Sequence, residues 1–528
     1  MPVATAHCVA LSGAVGHLVD VQADVSPGQV GTTLVGRVDP SLHEGRERVR
    51  MAIENSELTW AGTTKRVTVL LSPADLPKSG AHFDLAIAVA ILAATGEVDP
   101  RCLQDTAFIG ELALDGGLRS VAGVLPMVLA ASKRGVQQVF VPEPQAREAS
   151  MVPGMTVIGL RSLNQVVAAL TGDELPEAMP VPPLSAGRYL AWRGSARLDD
   201  VDMADLIGLD EVKYAVEVAA AGGHHLLIDG PKGCGKTSIA ERIPTILPDL
   251  TGSESVELTA IRSLAGLLDP ALGMAVRPPF SAPHHDASKA SVVGGGSGRV
   301  RPGELSLAHG GVLFLDEFPL FRTDVIEALR EPLENGDITV ARGEEAVTLP
   351  ARSMVVLAAN PCACGNRVAQ SRVMCTCTAV QIRDYKKRLD GPIADRIDIT
   401  RHLTPETFTR DRLGRQETSA IIRARVAAAR LRQAERYAEH DWRLNAHVPS
   451  AALREFWPLE PAAQAVVDAE IASGRLTRRG AVKVHRLAWT VADLTGADVP
   501  GTGEAGVALG LRLGSSLPSA TVKMERVG

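Results

Sequence analysis

The spacing of apolar positions separates three blocks along the chain. From Met1 to about Gly172, short β-branched runs such as Arg66-Val67-Thr68-Val69-Leu70-Leu71 alternate with alanine-rich stretches, Phe83 to Ala94 and Val124 to Ser132. The first kind suits strands and the second helices, so residues 1–172 are predicted to form an α/β or α+β domain. Between Asp173 and Pro183 stand Pro176, Pro180, Pro182 and Pro183. Proline lacks an amide donor and cannot sit inside a helix or central strand, so 173–200 reads as a stiff linker. From 201 to 403 the apolar runs are short and unbroken, as expected of parallel strands buried on both faces. Beyond Glu406 the period becomes helical: Gln416 to Glu439, Pro461 to Ser473, and a third run after Thr477. Residues 404–500 are thus predicted to be an all-α lid. The tail, 501–528, is glycine-rich and weakly patterned, and no element is assigned to it. The chain shows no internal repeat of 20–50 residues.

The chemistry concentrates in the middle block. His225-Leu226-Leu227-Ile228-Asp229 is a strand pattern running into Gly230-Pro231-Lys232-Gly233-Cys234-Gly235-Lys236-Thr237, after which Ser238 to Arg242 reads as a helix. Strand, glycine-rich turn and helix make the context in which a P-loop works: backbone amides curl around a phosphate at the positive end of the helix. Lys236 is expected to reach the β/γ oxygens of ATP, and Thr237 to hold Mg²⁺. A second apolar strand, Gly310 to Leu315, ends in Asp316 and Glu317. Functional groups of parallel sheets gather at the carboxyl ends of strands. There Asp316 is expected at Mg²⁺ and Glu317 as the general base for the attacking water. A third strand, Met354 to Ala359, ends at Asn360, which reads either as a water-positioning amide or as a turn residue before Pro361.

Composition narrows the class. A chain of 528 residues suggests about three domains of ~150 residues each. Apolar content of 45% and charged content of 22% are ordinary for a globular protein. A net charge of −6 leaves no overall attraction to nucleic acid, so any phosphate contact must come from a local patch or pore. Met1 to Asp20 lacks the basic start of a secretory signal, and the longest apolar stretch, Leu85 to Ala94, is short of the ~20 residues that span a bilayer. A cytoplasmic location without membrane contact is expected.

Longer motifs bring in a family. Arg277-Pro278-Pro279-Phe280-Ser281-Ala282-Pro283-His284-His285, Val293 to Gly296, Arg301-Pro302-Gly303-Glu304, Gly311 to Glu317, Asn360-Pro361-Cys362 and Gly391 to Asp398 together resemble the ComM/YifB family of magnesium-chelatase-like AAA+ ATPases. The resemblance runs from about residue 5 to 495. It implies an AAA+ P-loop ATPase core with a helical lid, assembled as a homo-hexamer with nucleotide between subunits. It also implies a DNA helicase that promotes branch migration during homologous recombination. By position, Arg396 looks like the arginine finger that enters the neighbouring subunit's site, and Arg479 like the lid arginine, with Arg478 a near rival. The plainer reading of Arg396 is a salt bridge to Asp395 or Asp398. Lys232 departs from the family pattern, which carries a second proline there.

Residues 1–172 resemble the family's N-terminal domain, a Lon-protease-like (ribosomal protein S5-like) α+β fold. Active Lon-type enzymes use a serine activated by a lysine. Here His82 falls at the serine position and Leu125 at the lysine position, so no catalytic dyad is expected. Ser79 beside Lys78 is a poor substitute, because neighbours in a turn rarely face each other.

Four of the seven cysteines crowd together as Cys362-Ala363-Cys364 and Cys375-Thr376-Cys377. Four thiolates can close a tetrahedral Zn²⁺ site; the same residues also read as reduced thiols in a loop or a redox-sensitive pair. For DNA the candidates are Lys289, Arg299 and Arg301 in a glycine-rich loop, and Arg342 in a hairpin predicted over Asp337 to Thr348. Ordinary solvated loops are the alternative. Aromatics make up 3% of the chain, which argues against base stacking as the main mode. Two other functions compete: a magnesium-chelatase-type motor for metal insertion, and a protein-remodelling ATPase.

Overall fold

The computed structural model describes residues 3–37, 39–184, 200–296, 300–342, 345–367, 374–389, 391, 393–403 and 416–518. The chain divides into two compact units. The first comprises Met1–Leu190, Ser255–Ala275 and Ala341–Leu349; the second comprises Ala191–Glu254, Val276–Val340 and Pro350–Gly528. The first unit therefore takes, besides the 1–172 block, two segments that the sequence pattern assigns to the ATPase core.

In the first unit seven strands form one mixed sheet, in the order Gly31–Val35, Arg66–Ser72, Val15–Ser26, Val3–Ser12, Thr106–Phe108, Gln138–Pro142, Thr156–Leu160. Val3–Ser12 and Val15–Ser26 pair antiparallel with Val9 opposite Leu18. Val19, Val21, Ala23 and Val25 are buried, the period-2 pattern of a sheet with one face on a core. The helix Asp84–Thr95 is buried at every position from Asp84 to Ala93, as its all-round apolar sequence requires. It ends at Gly96, whose φ of 92° closes a left-handed cap. The prolines after 173 lie along this unit: Gln165 donates to the Pro176 carbonyl at 2.8 Å and Ser120 to that of Pro182 at 3.0 Å. Val181 is buried among them. The described part of the predicted linker is thus a strap held by its carbonyls, while 185–199 lie outside the described residues.

The segment 255–275 is anchored by a carboxylate. Glu148 accepts from the Leu125 amide at 2.9 Å and from the Ser263 hydroxyl at 2.5 Å, and Gly123 donates its amide to the Ser263 carbonyl. Burial pushes the Glu148 carboxyl above its ordinary range, and these donors oppose that push.

The second unit is built on five parallel strands in the order Phe280–Ser281, Val312–Leu315, Met354–Ala359, Leu226–Asp229, Ile399–His402. All six residues of Met354–Ala359 are buried, the unbroken apolar run of a central parallel strand. The predicted hairpin is present as Asp337–Arg342 and Glu345–Pro350. The lid helices are Ser419–Arg436, Ser450–Phe456, Pro461–Ala472 and Arg478–Thr495. A further helix, Thr502–Leu513, corrects the reading of the tail as unpatterned. Its Ala505, Val507, Ala508, Leu509 and Leu511 join the core of this unit. Glycines concealed its period. At Gly510 a Cβ would lie 2.9 Å from a terminal methyl of Leu517, which would have to shift. No described helix is long and apolar enough to cross a membrane.

Candidate active site

The strand Leu226–Asp229 delivers the P-loop, and the helix Lys236–Ile246 follows it. Gly233 and Gly235 adopt φ values of 79° and 84°, which L side chains rarely accept. A Cβ at Gly230 would fall 2.7 Å from Leu403, so the loop also needs glycine there to pack. Lys236 is buried, and its ammonium group donates to the carbonyls of Gly230 at 2.6 Å and Pro231 at 2.8 Å and to Asn360 Oδ1 at 3.0 Å. Burial lowers its pKa, opposed by the nearby Asp316, Asp229 and Glu317 carboxylates.

Asp316 and Glu317 follow the strand Val312–Leu315, which is separated from Leu226–Asp229 by the strand Met354–Ala359. The Thr237 hydroxyl donates to Asp316 Oδ2 at 3.1 Å. These are hard oxygen donors converging on one point, a set that fits Mg²⁺. Asn360, at the end of the third strand, donates from Nδ2 to Glu317 Oε1 at 3.2 Å. Its amide oxygen is the one that Lys236 meets, so a single side chain bridges the P-loop ammonium and the Glu317 carboxylate. The turn-residue reading of Asn360 does not account for either bond. Lys236, Thr237, Asp316, Glu317 and Asn360 are brought together from three neighbouring strands.

The two arginines stand apart from this cluster. Arg396 lies in the short turn Ala394–Arg396 and pairs with Glu334 at 2.9 Å. This partner is far away in sequence and is neither of the expected alternatives, Asp395 and Asp398. Asp398 instead receives Lys483 Nζ at 2.6 Å and the His225 amide at 2.9 Å. Arg479 is exposed in the first turn of Arg478–Thr495, and so is Arg478. Among the described residues no hydrogen bond or ion pair joins Arg479 to the P-loop cluster.

Two contributors, Tyr385 and Lys483, escape the sequence pattern, and a third, His285, stands in a quoted motif without an assigned role. The Tyr385 hydroxyl accepts the Asn360 amide at 3.1 Å, fixing the backbone that carries the bridging side chain. Burial pushes this phenol up to about 12, which keeps it neutral. His285 places Nδ1 3.9 Å from Glu317 Oε2. Lys483 ties the lid helix Arg478–Thr495 to the Arg396 segment, donating also to the Arg396 carbonyl at 2.9 Å. The motif containing Asp398 was a usable signal; nothing in the spacing pointed to its lysine.

Of the DNA candidates, Lys289 is exposed at the start of Lys289–Val293, and Arg301 is exposed in the strand Arg301–Pro302 that pairs with Gly294–Gly295. Arg342 ends a hairpin strand, its side chain outside the described residues, and Arg299 lies outside them altogether. The four cysteines do come together, with all four sulfurs within 4.8 Å of one another. His284, His285 and Asp286 share one turn at the surface.

Comparison with known proteins matches this geometry to a lineage. The family described as magnesium chelatase, subunit ChlI, matches residues 202–410. Two related descriptions, subunit ChlI of Mg-chelatase and the ChlI C-terminal part, match 21–145 and 416–512. An uncharacterized protein of Mycobacterium tuberculosis is 42% identical over 512 residues, covering 97% of this chain and 99% of that one. Competence protein ComM of Haemophilus influenzae is 36% identical over 499 residues, 94% of each chain. YifB of Escherichia coli is 36% identical over 501 residues, 94% of this chain and 95% of its own. Lon protease of Geobacter metallireducens matches at 26% over 189 residues, 33% of this chain and 22% of that one. With a P-loop, paired carboxylates and a bridging asparagine on one parallel sheet, and relatives matched over nearly their whole length, the chain belongs to the ComM/YifB family of magnesium-chelatase-like AAA+ proteins.

Proposed function

We propose that this protein is an ATP-hydrolysing hexameric AAA+ motor that acts on DNA, a helicase promoting branch migration in homologous recombination and natural transformation. The observation that carries the hydrolytic part is the chain of bonds from Lys236 through Asn360 to Glu317, beside the Thr237–Asp316 pair. Lys236 exchanges its loop carbonyls for phosphate oxygens when ATP enters. Thr237 and Asp316 would hold Mg²⁺, which supplies positive charge to the β/γ-phosphate. Asn360 orients Glu317, and Glu317 takes the proton of the attacking water. Arg396 from a neighbouring subunit completes the site, and Arg479 senses nucleotide from the lid.

The DNA part rests on the name and extent of the competence relative, and on exposed Lys289 and Arg301 with the hairpin whose first strand ends at Arg342. The N-terminal unit serves as a Lon-protease-like scaffold without peptidase chemistry. Lys78 is fully buried and donates to the Pro73 carbonyl, while Ser79 is exposed. His82 is buried and bonds the Val9 carbonyl at 2.9 Å. The family descriptions favour one second reading, a magnesium-chelatase-type motor for metal insertion into a porphyrin.

The deciding experiment measures ATPase rate and forked-DNA unwinding by the purified protein, with and without single-stranded and branched DNA. Stimulation and unwinding are expected. In Arg342→Ala, stimulation is expected to disappear while basal hydrolysis stays. ATPase indifferent to every DNA structure would overturn the DNA reading and leave the hydrolytic one.

A further inference from the structure

The cysteine loop begins two residues after Asn360 and ends just before the helix Ala379–Leu389, which carries Tyr385. Both ends therefore connect to the bridging asparagine, the first through the chain and the second through the Tyr385 hydroxyl. Within the loop Cys362 Sγ lies 3.4 Å from Cys364 Sγ and 3.6 Å from Cys375 Sγ, and Cys364 lies 3.5 Å from Cys375. Cys377 completes the group within 4.8 Å of the rest. A disulfide needs ~2.05 Å, so these are not bridged pairs. Four thiolates at ~2.3 Å from a central ion stand ~3.8 Å apart at the tetrahedral angle, close to the spacing found. The loop also supplies the amide donors that thiolate ligands require. Asn366 and Thr376 donate backbone N–H groups to Cys364, and the Gly365 amide closes a turn on the Cys362 carbonyl at 2.9 Å. Among the described residues four sulfurs make a soft set able to close a tetrahedron, which selects zinc or iron.

A second observation ties this group to the phosphate site. Gly365, next to Cys364, has a φ of 77°, and a Cβ on it would fall 2.5–2.8 Å from the side-chain carbons of Lys232. The stem of the one P-loop residue that departs from the family pattern thus lies across the cysteine loop. A tetrathiolate centre holding a divalent ion carries a formal charge of −2, and the Lys232 ammonium brings a positive charge to the same neighbourhood.

We propose that Cys362, Cys364, Cys375 and Cys377 bind one Zn²⁺, and that the closed zinc loop, with Lys232 packed on Gly365, braces the P-loop. Zinc is thereby a structural clamp on the nucleotide site rather than part of its chemistry. Removing it frees the loop between Asn360 and Tyr385 and takes away the surface on which Lys232 rests.

The test uses the full-length protein purified without chelator. Elemental analysis is expected to find about one zinc per chain, with occupancy reduced roughly tenfold or more in Cys364→Ser and Cys375→Ser. Iron in place of zinc, or equal zinc in wild type and both variants, overturns the site. For the brace, zinc is released from wild type with a mercurial thiol reagent, removed with a chelator, and restored after thiol reduction. Amide hydrogen exchange of the 230–237 peptide is followed at each stage. Faster exchange on release and recovery on restoration support the proposal, and recovery separates the effect from misfolding. Lys232→Ala is expected to keep its zinc and yet exchange faster in this peptide. Unchanged P-loop exchange after zinc release overturns the brace. None of these readouts depends on ATP binding or DNA, so a failure of the proposed motor function stays distinguishable.

Discussion

Glu317 has a φ of 51°, a left-handed conformation that a non-glycine residue adopts at a cost of about 1–3 kcal/mol. Its amide donates to Asp316 Oδ1 at 2.8 Å and its carboxylate receives Asn360, so the site holds it in that pose. Glu317→Gln is nearly isosteric and removes the proposed base. It is expected to lower ATP hydrolysis by about 10²–10⁴-fold while keeping nucleotide binding, measured by single-turnover assay and equilibrium titration. Arg396 poses a sharper choice at the same scale. Its pair with Glu334 involves a half-exposed carboxylate and contributes about 0–1 kcal/mol. As an arginine finger it is worth about 10³–10⁵ in rate. Arg396→Ala is therefore expected to abolish measurable hydrolysis at unchanged unfolding midpoint, and Glu334→Gln to retain it. Equal losses in the two variants would reduce Arg396 to a partner of Glu334.

At the scale of elements, the lid helix Arg478–Thr495 is fastened to the sheet by buried polar groups. Burial alone would raise the Asp398 pKa, yet Lys483 and the neighbouring histidines hold its carboxyl well below the ordinary range. Lys483→Ala strands that carboxylate and is expected to destabilise the protein by about 3–5 kcal/mol in denaturant unfolding. His224 is fully buried, its Nε2 2.7 Å from the Thr490 hydroxyl, and burial lowers its pKa from 6.5 to about 3. The unfolded chain binds that proton near pH 6.5 and the folded chain does not, so stability is complete above pH ~6.5 and falls as pH drops below it. The Asp398 contribution persists down to its unfolded value of ~3.9, so a loss between pH ~6.5 and ~4 belongs to histidine. Urea unfolding across that window is expected to show a steeper decline in wild type than in His224→Gln. Parallel curves would remove His224 as the cause.

At the scale of the whole molecule, the net charge of −6 offers no overall attraction to nucleic acid, so the proposed DNA affinity must come from local basic side chains. Its logarithm is expected to fall with log salt at a slope of about −0.7 per contacted phosphate on single strands. Lys289→Ala and Arg301→Ala are each expected to flatten that slope by nearly one contact without changing sequence preference, measured by fluorescence anisotropy over a salt series. An unaltered slope in both would clear that loop of phosphate contact.

What could be read from residues alone was whatever is local in sequence. The P-loop, the apolar strands ending at Asp316 and Asn360, and the long lid helices each carry their own period and punctuation, and these elements recur within a few residues of the expected bounds. Proline placement pointed to a stiff linker from residue 173, because a missing amide donor is a property of the residue itself; that its described part is held along the first unit by Gln165 and Ser120 was not legible. The helix Thr502–Leu513 was hidden, since Gly503, Gly506 and Gly510 interrupt its apolar period, and of the three Gly510 alone meets Leu517. Pairings across long separations were equally out of reach: Asn360 with both Lys236 and Glu317, Arg396 with Glu334, Lys483 with Asp398, Lys232 with Gly365. Hydrophobic period selects an element and its buried face, but not which distant side chain will meet it. That choice is made by the order of strands in the sheet and by the need to satisfy each buried charge, and both exist only once the chain has folded.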